Sequence, residues 1–288
     1  MSIVNLYGRG DPVMSFEFFP PKSDAGFGGL FRTIEDLKQL APGFVSVTMG
    51  AGGSTRSKTV DLVIRIQREL GIIAMAHLPC LGFDRAAVAS ILDTLDRAGI
   101  DNVLALRGDV PQNDPDFVRP ADGFAHANEL ARFIDQRGGF SIGGACYPEV
   151  HPEAESAETD LQNLVRKVAD GARFLITQLF FDNQKFFEFE KRVRAAGVDV
   201  PIVPGIMPIT SVKSIRRMTA LGGGSIPAEL DAELSRVDED DDATLEIGIE
   251  WATAQCRELL DAGVPGIHFY TLNRSPATQR IHRALFDS

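Results

Sequence analysis

The chain has 288 residues and a mass of 31.3 kDa, 44% hydrophobic and 24% charged, enough apolar material for a large core without covalent staples. A formal charge of -11 and a pI near 5.0 argue against a nucleic-acid partner, although a local basic pocket can still hold one anionic cofactor. Cys80, Cys146 and Cys256 are too scattered for a disulfide framework or a metal clip, and neither a basic leader with an apolar run nor a stretch of ~20 apolar residues is present, so a cytoplasmic protein with no membrane partner and no metal is expected.

Along the chain, short β-rich apolar runs alternate with longer amphipathic segments. Met14–Phe19 reads as a strand, followed by a helical pattern to about Leu40; Phe44–Met49 is the next strand, and its helix runs from about Ser57 to Leu70. Further strands are expected at Ile72–Leu78, Asn102–Arg107, Ser141–Tyr147, Phe174–Phe180, Pro201–Ile206 and Gly266–Leu272, with helical patterns between them. Glycines in the turns after Ala98, Asp170, Ala196 and Ala262 serve as helix C-caps. The acidic run Val237–Asp242 fits an exposed loop leading into a helix N-terminus.

Eight successive βα units point to an α/β fold, a (β/α)8 TIM barrel, with residues 1–288 forming one domain. A doubly wound sheet is the alternative, but no strand is followed by Gly-x-Gly-x-x-Gly. In a barrel the C-terminal strand ends face the active site. That rule selects Glu17, Thr48, His77, Arg107 with Asp109, Tyr147, Gln178, and Tyr270 with Arg274 beyond it. Each polar residue alone has a structural explanation, as a strand hydroxyl, a core ring or a satisfied imidazole; their recurrence at almost every strand end favours a site. Gly108, between Arg107 and Asp109, lets backbone approach a ligand. Asp160, Asn163 and Lys167 share one helix face, which geometry alone reads equally well as a solvated face.

Five segments, Ser15-F-E-F-F-P-P-Lys22, Ala105-L-R-G-Asp109, Tyr147-P-E-V-H-P-E-Ala154, Ile176-T-Gln178 and His268-F-Y-T-L-N-Arg274, occur in an order that closely resembles the methylenetetrahydrofolate reductase family. The resemblance spans about Ser15 to Arg274 and implies an FAD-dependent barrel, the catalytic domain alone, that reduces 5,10-methylenetetrahydrofolate to 5-methyltetrahydrofolate. NADH or NADPH would be the donor in a ping-pong cycle, the reaction could also run in the oxidative sense, and a homo-oligomer is expected.

Carried over by position, Glu17 matches the family's catalytic acid. Flanking by Phe16, Phe18 and Phe19 is expected to strip its solvation and disfavour the charged form, leaving a proton to open the five-membered folate ring. Asp109 matches a residue near the flavin that also meets the pterin. Thr48, His77, Arg107, Gly108, Ala125, Tyr147, His151, Ala154, Asp160, Asn163, Arg166 and Lys167 match FAD-contacting positions, Asp160 suiting ribose hydroxyls and Arg166 and Lys167 the pyrophosphate. Gln178, Tyr270 and Arg274 match folate contacts. The helix Ser211–Met218 departs from the pattern, with Ser214 and Met218 where bacterial relatives can carry glutamine and phenylalanine. Three other readings compete: a proline-dehydrogenase-like flavin barrel, which lacks the Phe-Glu-Phe-Phe-Pro-Pro segment; a non-catalytic folate- or flavin-binding subunit; and a metal-dependent hydrolase, disfavoured by five scattered histidines and no His-x-His on the first strand.

Overall fold

The computed structural model describes residues 1–21, 23, 25–50, 55–110 and 116–287; Lys22 of the first quoted segment lies outside them. The chain alternates β1 (Val13–Phe18), α1 (Ala25–Lys38), β2 (Phe44–Val47), α2 (Arg56–Arg65), β3 (Ala74–Pro79), α3 (Arg85–Arg97), β4 (Asn102–Leu106), α4 (Ala127–Arg137), β5 (Ser141–Cys146), α5 (Ala157–Ala169), β6 (Phe174–Thr177) and α6 (Asn183–Ala195). It continues through β7 (Ile202–Val203), β8 (Gly205–Ile206), α7 (Val212–Gly222), α8 (Ala228–Arg236), α9 (Asp241–Asp261), β9 (Gly266–Tyr270) and α10 (Pro276–Phe286). All ladders are parallel, in the order β7-β6-β5-β4-β3-β2-β1-β9-β8, so this is the expected (β/α)8 barrel.

One expected strand is divided. Within Pro201–Ile206, β7 pairs with β6 and β8 pairs with β9, and Pro204 lies between them without an N–H to give either neighbour. Its carbonyl still accepts from the His268 N–H at 2.9 Å, and the ring closes through this joint. The helix expected over Ser57–Leu70 also changes character, becoming a π-turn at Ile66–Leu70 that ends on Gly71 with φ 69°. The glycine caps hold: Gly99 and Gly263 have φ of 76° and 83°, where a side chain would be strained.

Both faces of the strands are buried, and all six residues of β1 are buried, as in parallel sheets covered by helices. The period-2 pleat sends Met14, Phe16 and Phe18 to the helix layer, where they join the main apolar cluster. Ser15 and Glu17 therefore point into the barrel. This corrects the expected origin of Glu17's desolvation: Phe16 and Phe18 occupy the opposite face, Phe19 is exposed beyond the strand, and the barrel interior encloses the carboxyl. The floor beneath it is apolar, with Phe44, Met75, Leu104, Phe174, Ile176 and Val203 packed on the buried Ile3 of a short N-terminal 3-10 turn.

Candidate active site

Glu17, 6% exposed, sits beside Ser46 of β2 and Tyr270 of β9 in the ladder register. Its Oε2 lies 3.3 Å from His77 Nε2 and 3.6 Å from His268 Nε2. Two imidazoles thus face one carboxyl oxygen. Burial holds the His77 imidazole below the usual histidine range, against the opposing pull of Glu17, and its Nε2 has no hydrogen-bond partner. The segment after β9 fastens the same strand end. Thr271 Oγ1 donates to the Glu17 carbonyl at 2.6 Å, while the Asn273 side chain accepts from Phe19 N–H at 2.8 Å and donates to Phe19 C=O at 2.9 Å. Leu272 and Asn273 both adopt left-handed backbone, φ 51° and 60°, which turns the chain back onto β1.

The second part of the site is a cavity of about 390 Å³ beyond β4 and β5 and along α5, within the size range of cofactor sites. Arg107, Tyr147, His151, Ala154, Asp160, Asn163, Arg166 and Lys167 all line it. Lys167 Nζ donates to the Ala145 carbonyl at 2.5 Å, and burial pushes its ammonium below the ordinary lysine range. Asp160 accepts from the His151 backbone N–H at 3.0 Å, Arg166 donates to Asn163, and the Tyr147 ring meets His151 edge-on. Burial raises the Tyr147 phenol to about 12. Arg107 forms a two-pronged pair with Glu153, one arm at 2.7 Å.

The family model for methylenetetrahydrofolate reductase matches residues 3–285. The chain belongs to the methylenetetrahydrofolate reductase family. It is 36% identical to the 5,10-methylenetetrahydrofolate reductase of Pectobacterium carotovorum, covering 99% of this chain and 93% of that one. It is 40% identical to methylenetetrahydrofolate reductase (NADH) 1 of Arabidopsis thaliana over 94% of this chain, and spans about half the length of that relative, 48%. In fold it is similar to a Clostridium thermocellum protein described as binding two copies of 5-methyl-5,6,7,8-tetrahydrofolic acid, with a TM-score of 0.66 at 17% identity, covering 99% of this chain and 96% of that one.

Within this reductase-family barrel, the residues selected from the sequence fall into two groups, the cavity set above and the centre around Glu17, His77 and Tyr270. Tyr270 turns its hydroxyl onto the Thr177 carbonyl at 2.5 Å, and Gly205 allows this, since a Cβ there would meet that carbonyl at 2.4 Å and the phenol oxygen at 2.7 Å. Gln178 folds its side-chain oxygen onto Leu179 N–H at 2.9 Å and packs at Gly222 of α7. Thr48, Gly108, Asp109 and Ala125 are absent from the lining of the cavity; Asp109 and Arg274 are exposed, and Ala125 N–H donates to Glu129 at 2.8 Å. Gly108, with φ 82°, fits against Pro79, where a Cβ would approach to 2.7 Å. Among the described residues, no cluster of ligating side chains suits a metal ion, and no helix is long and apolar enough to cross a membrane.

Sequence reasoning did not select Glu153 or His268, although both lie inside quoted segments. Nor did it select His126, Asn128 and Glu129, which line the cavity from the start of α4. The available signal for Glu153 was its place two residues after His151, at the end of a proline-rich strand exit.

Proposed function

We propose that this chain reduces 5,10-methylenetetrahydrofolate to 5-methyltetrahydrofolate, with FAD as cofactor and NADH or NADPH as donor. The observation that carries the reading is Glu17, a buried carboxyl at a strand end with both histidines on one oxygen, in a member of this reductase family. The cavity residues fit FAD. Half-buried Lys167 and exposed Arg166 supply cationic donors for a pyrophosphate, Asp160 supplies a carboxylate for ribose hydroxyls, and the half-buried Tyr147 ring offers an apolar wall. Arg107, Gly108, His151, Ala154, Asn163, Thr48, His77 and Ala125 complete the proposed cofactor shell. When bound, FAD supplies the hydride carrier between the nicotinamide and the methylene carbon of the folate.

The chain's own contribution is proton transfer and orientation. Glu17 gives its proton to a folate ring nitrogen as the bond from that nitrogen to the methylene carbon breaks, and the carbon becomes an iminium that accepts hydride. Glu17 is left as a carboxylate. Asp109 binds the guanidine-like edge of the pterin, Gln178 and Tyr270 flank the ring system, and Arg274 pairs with the glutamate carboxylates. A shared folate and nicotinamide face makes the cycle ping-pong. Anaerobic mixing of the purified yellow protein with NADH, NADPH or methyltetrahydrofolate, followed by flavin absorbance, tests the proposal. Bleaching by a nicotinamide and recovery on adding methylenetetrahydrofolate is the expected result; a preparation that takes up no FAD, or that methylenetetrahydrofolate cannot reoxidise, overturns it.

A further inference from the structure

Arg107 and Glu153 both line the cavity, and their side chains form a fork, with one carboxylate oxygen on each terminal guanidinium nitrogen. The pair joins the exit of β4 to the loop after β5, 46 residues apart in sequence. With side chains 28% and 60% exposed, it is an ion pair of the kind that contributes little to stability. What it does contribute is geometry: two parallel bonds fix the plane of the guanidinium as well as its position.

Both ends of the fork are anchored. The Arg107 carbonyl accepts from the Leu81 N–H at 2.8 Å, and Gly108, at φ 82°, turns the chain against Pro79. The Arg107 backbone is thus set, whereas its long side chain has rotatable bonds that a partner must order. Glu153 comes from a loop held more tightly than its exposure suggests. Its N–H donates to His151 Nδ1 at 3.1 Å, the Ala154 N–H to the His151 carbonyl at 2.9 Å, and the His151 N–H to Asp160 of α5 at 3.0 Å. Glu149 accepts from the Ser225 N–H at 3.0 Å and from its hydroxyl, and the Pro152 ring packs at Gly223, where a Cβ would approach to 2.7 Å. Between these anchors Val150 adopts φ 77°, a conformation that β-branched residues rarely enter and that surrounding contacts must hold.

We infer that Glu153 is a positioning residue for the cofactor, one that acts through Arg107 by holding its guanidinium in a single plane before FAD arrives. The inference rests on the reading that the cavity takes FAD. The fork uses one hydrogen on each terminal nitrogen of Arg107, so three of the five N–H donors stay available to the ligand. Because the side chain is ordered in advance, binding does not have to supply that ordering. The opposite arrangement, a carboxylate that competes with the cofactor for Arg107, predicts tighter binding once the carboxylate is removed.

Glu153→Gln keeps the size of the side chain and removes its charge. FAD affinity is followed by flavin fluorescence in about 1 M KCl, where the Debye length is about 3 Å and the freed charge of Arg107 has little reach. It should fall about 3- to 10-fold, the worth of one pre-ordered long side chain. Unchanged or tighter binding overturns the inference. On an Arg107→Met background the same substitution should change affinity by less than about twofold, because Glu153 has nothing left to hold. A loss of the wild-type size there would mean that Glu153 acts on FAD directly or through its loop, and overturns the inference as well. If Arg107→Met takes up no FAD, Arg107→Lys replaces it, since an ammonium cannot form the fork. A further readout needs no cofactor. In apo protein labelled with 15N at arginine, Arg107, assigned by its loss in Arg107→Lys, should show two distinct Nη signals that merge in Glu153→Gln; a freely rotating guanidinium in the wild type overturns the inference. Failure of the FAD reading looks different: the wild type then takes up no FAD, while the apo guanidinium signals keep this pattern.

Discussion

The Glu17 centre and the cavity along α5 are both built at the C-terminal ends of the strands, yet by opposite means. The centre is buried, is held by side chains from β1, β2, β3 and β9, and turns on one carboxyl oxygen. The cavity is open, drawn from strand exits, the start of α4 and one face of α5, and spreads its polar groups over many residues. A concentrated centre makes catalysis sensitive to one atom, whereas a dispersed pocket makes binding tolerant of single losses. Substitutions should therefore differ in kind between the two regions, and the sharpest division comes from Glu17→Gln. The amide preserves size but supplies no proton. The folate half-reaction should fall about 10²- to 10⁴-fold, the range of a positioned general acid, while flavin reduction by the nicotinamide stays within about tenfold. Stopped-flow absorbance separates the two steps, and parallel slowing of both would make Glu17 structural.

The next effect in size probes the rigidity of the centre. Gly205→Ala places a methyl against the Thr177 carbonyl and the Tyr270 ring, and either the β8 backbone or the phenol must yield. A destabilisation of about 1–3 kcal/mol is expected, as for other overpacked sites, with the folate half-reaction impaired alongside. An unchanged urea midpoint would show that the joint at Pro204 absorbs the methyl.

In the cavity, Lys167→Met should weaken FAD binding by about 10- to 100-fold, the worth of one hydrogen bond to a charged group, without abolishing it. The same change should relieve the folded protein without cofactor of a buried cation. The Lys167 ammonium is held below the ordinary lysine range by burial, so between its folded and unfolded values the unfolded chain binds more protons, and stability rises with pH there. The penalty is thus full below the folded value and shrinks as pH climbs from there toward about 10.4, the free-lysine value. Urea midpoints of the apo proteins should favour the methionine variant more at neutral pH than near pH ~10. A variant less stable at neutral pH would mean that the bond to the Ala145 carbonyl outweighs the desolvation it accompanies.

The contrast between the regions also explains what the sequence made legible. Asp160, Asn163 and Lys167 could be grouped because helix spacing is local: i, i+3 and i+7 meet without any knowledge of the fold. The strand ends could be ordered because a parallel barrel places them on one rim. His268 could not be selected that way. Its hydroxyl partners, Ser15 and Ser46, lie 253 and 222 residues away and meet it only through the registers of β1, β2 and β9. The side of β1 on which Glu17 emerges was readable from the pleat, since Phe16 and Phe18 alternate with it, but adjacency in sequence suggested contact where the strand gives opposition. Pro204 carried a signal that a continuous strand over Pro201–Ile206 ignored.

The smallest expected effect returns to the centre and concerns His77, read in stability and not in turnover. Its imidazole is pushed down first by burial; the Glu17 charge pulls the other way and His268 adds to the lowering. An unfolded histidine binds a proton near pH 6.5, whereas folded His77 does so only at lower pH, so the unfolded chain holds the extra proton in that window and stability falls as pH drops through it. Above the window His77 is neutral in both states and adds no slope. His77→Gln keeps a polar group beside Glu17 and removes the titration, so its urea midpoint should decline less than that of the wild type between about pH 7.5 and about pH 5. His151 and His282 are lowered by burial as well and add their own slope to both proteins, which is why the difference between the two curves, and not either alone, carries the answer. Parallel curves would mean that His77 protonates at the same pH in the folded and unfolded chains, and that the centre is wetter than its 6% exposure implies.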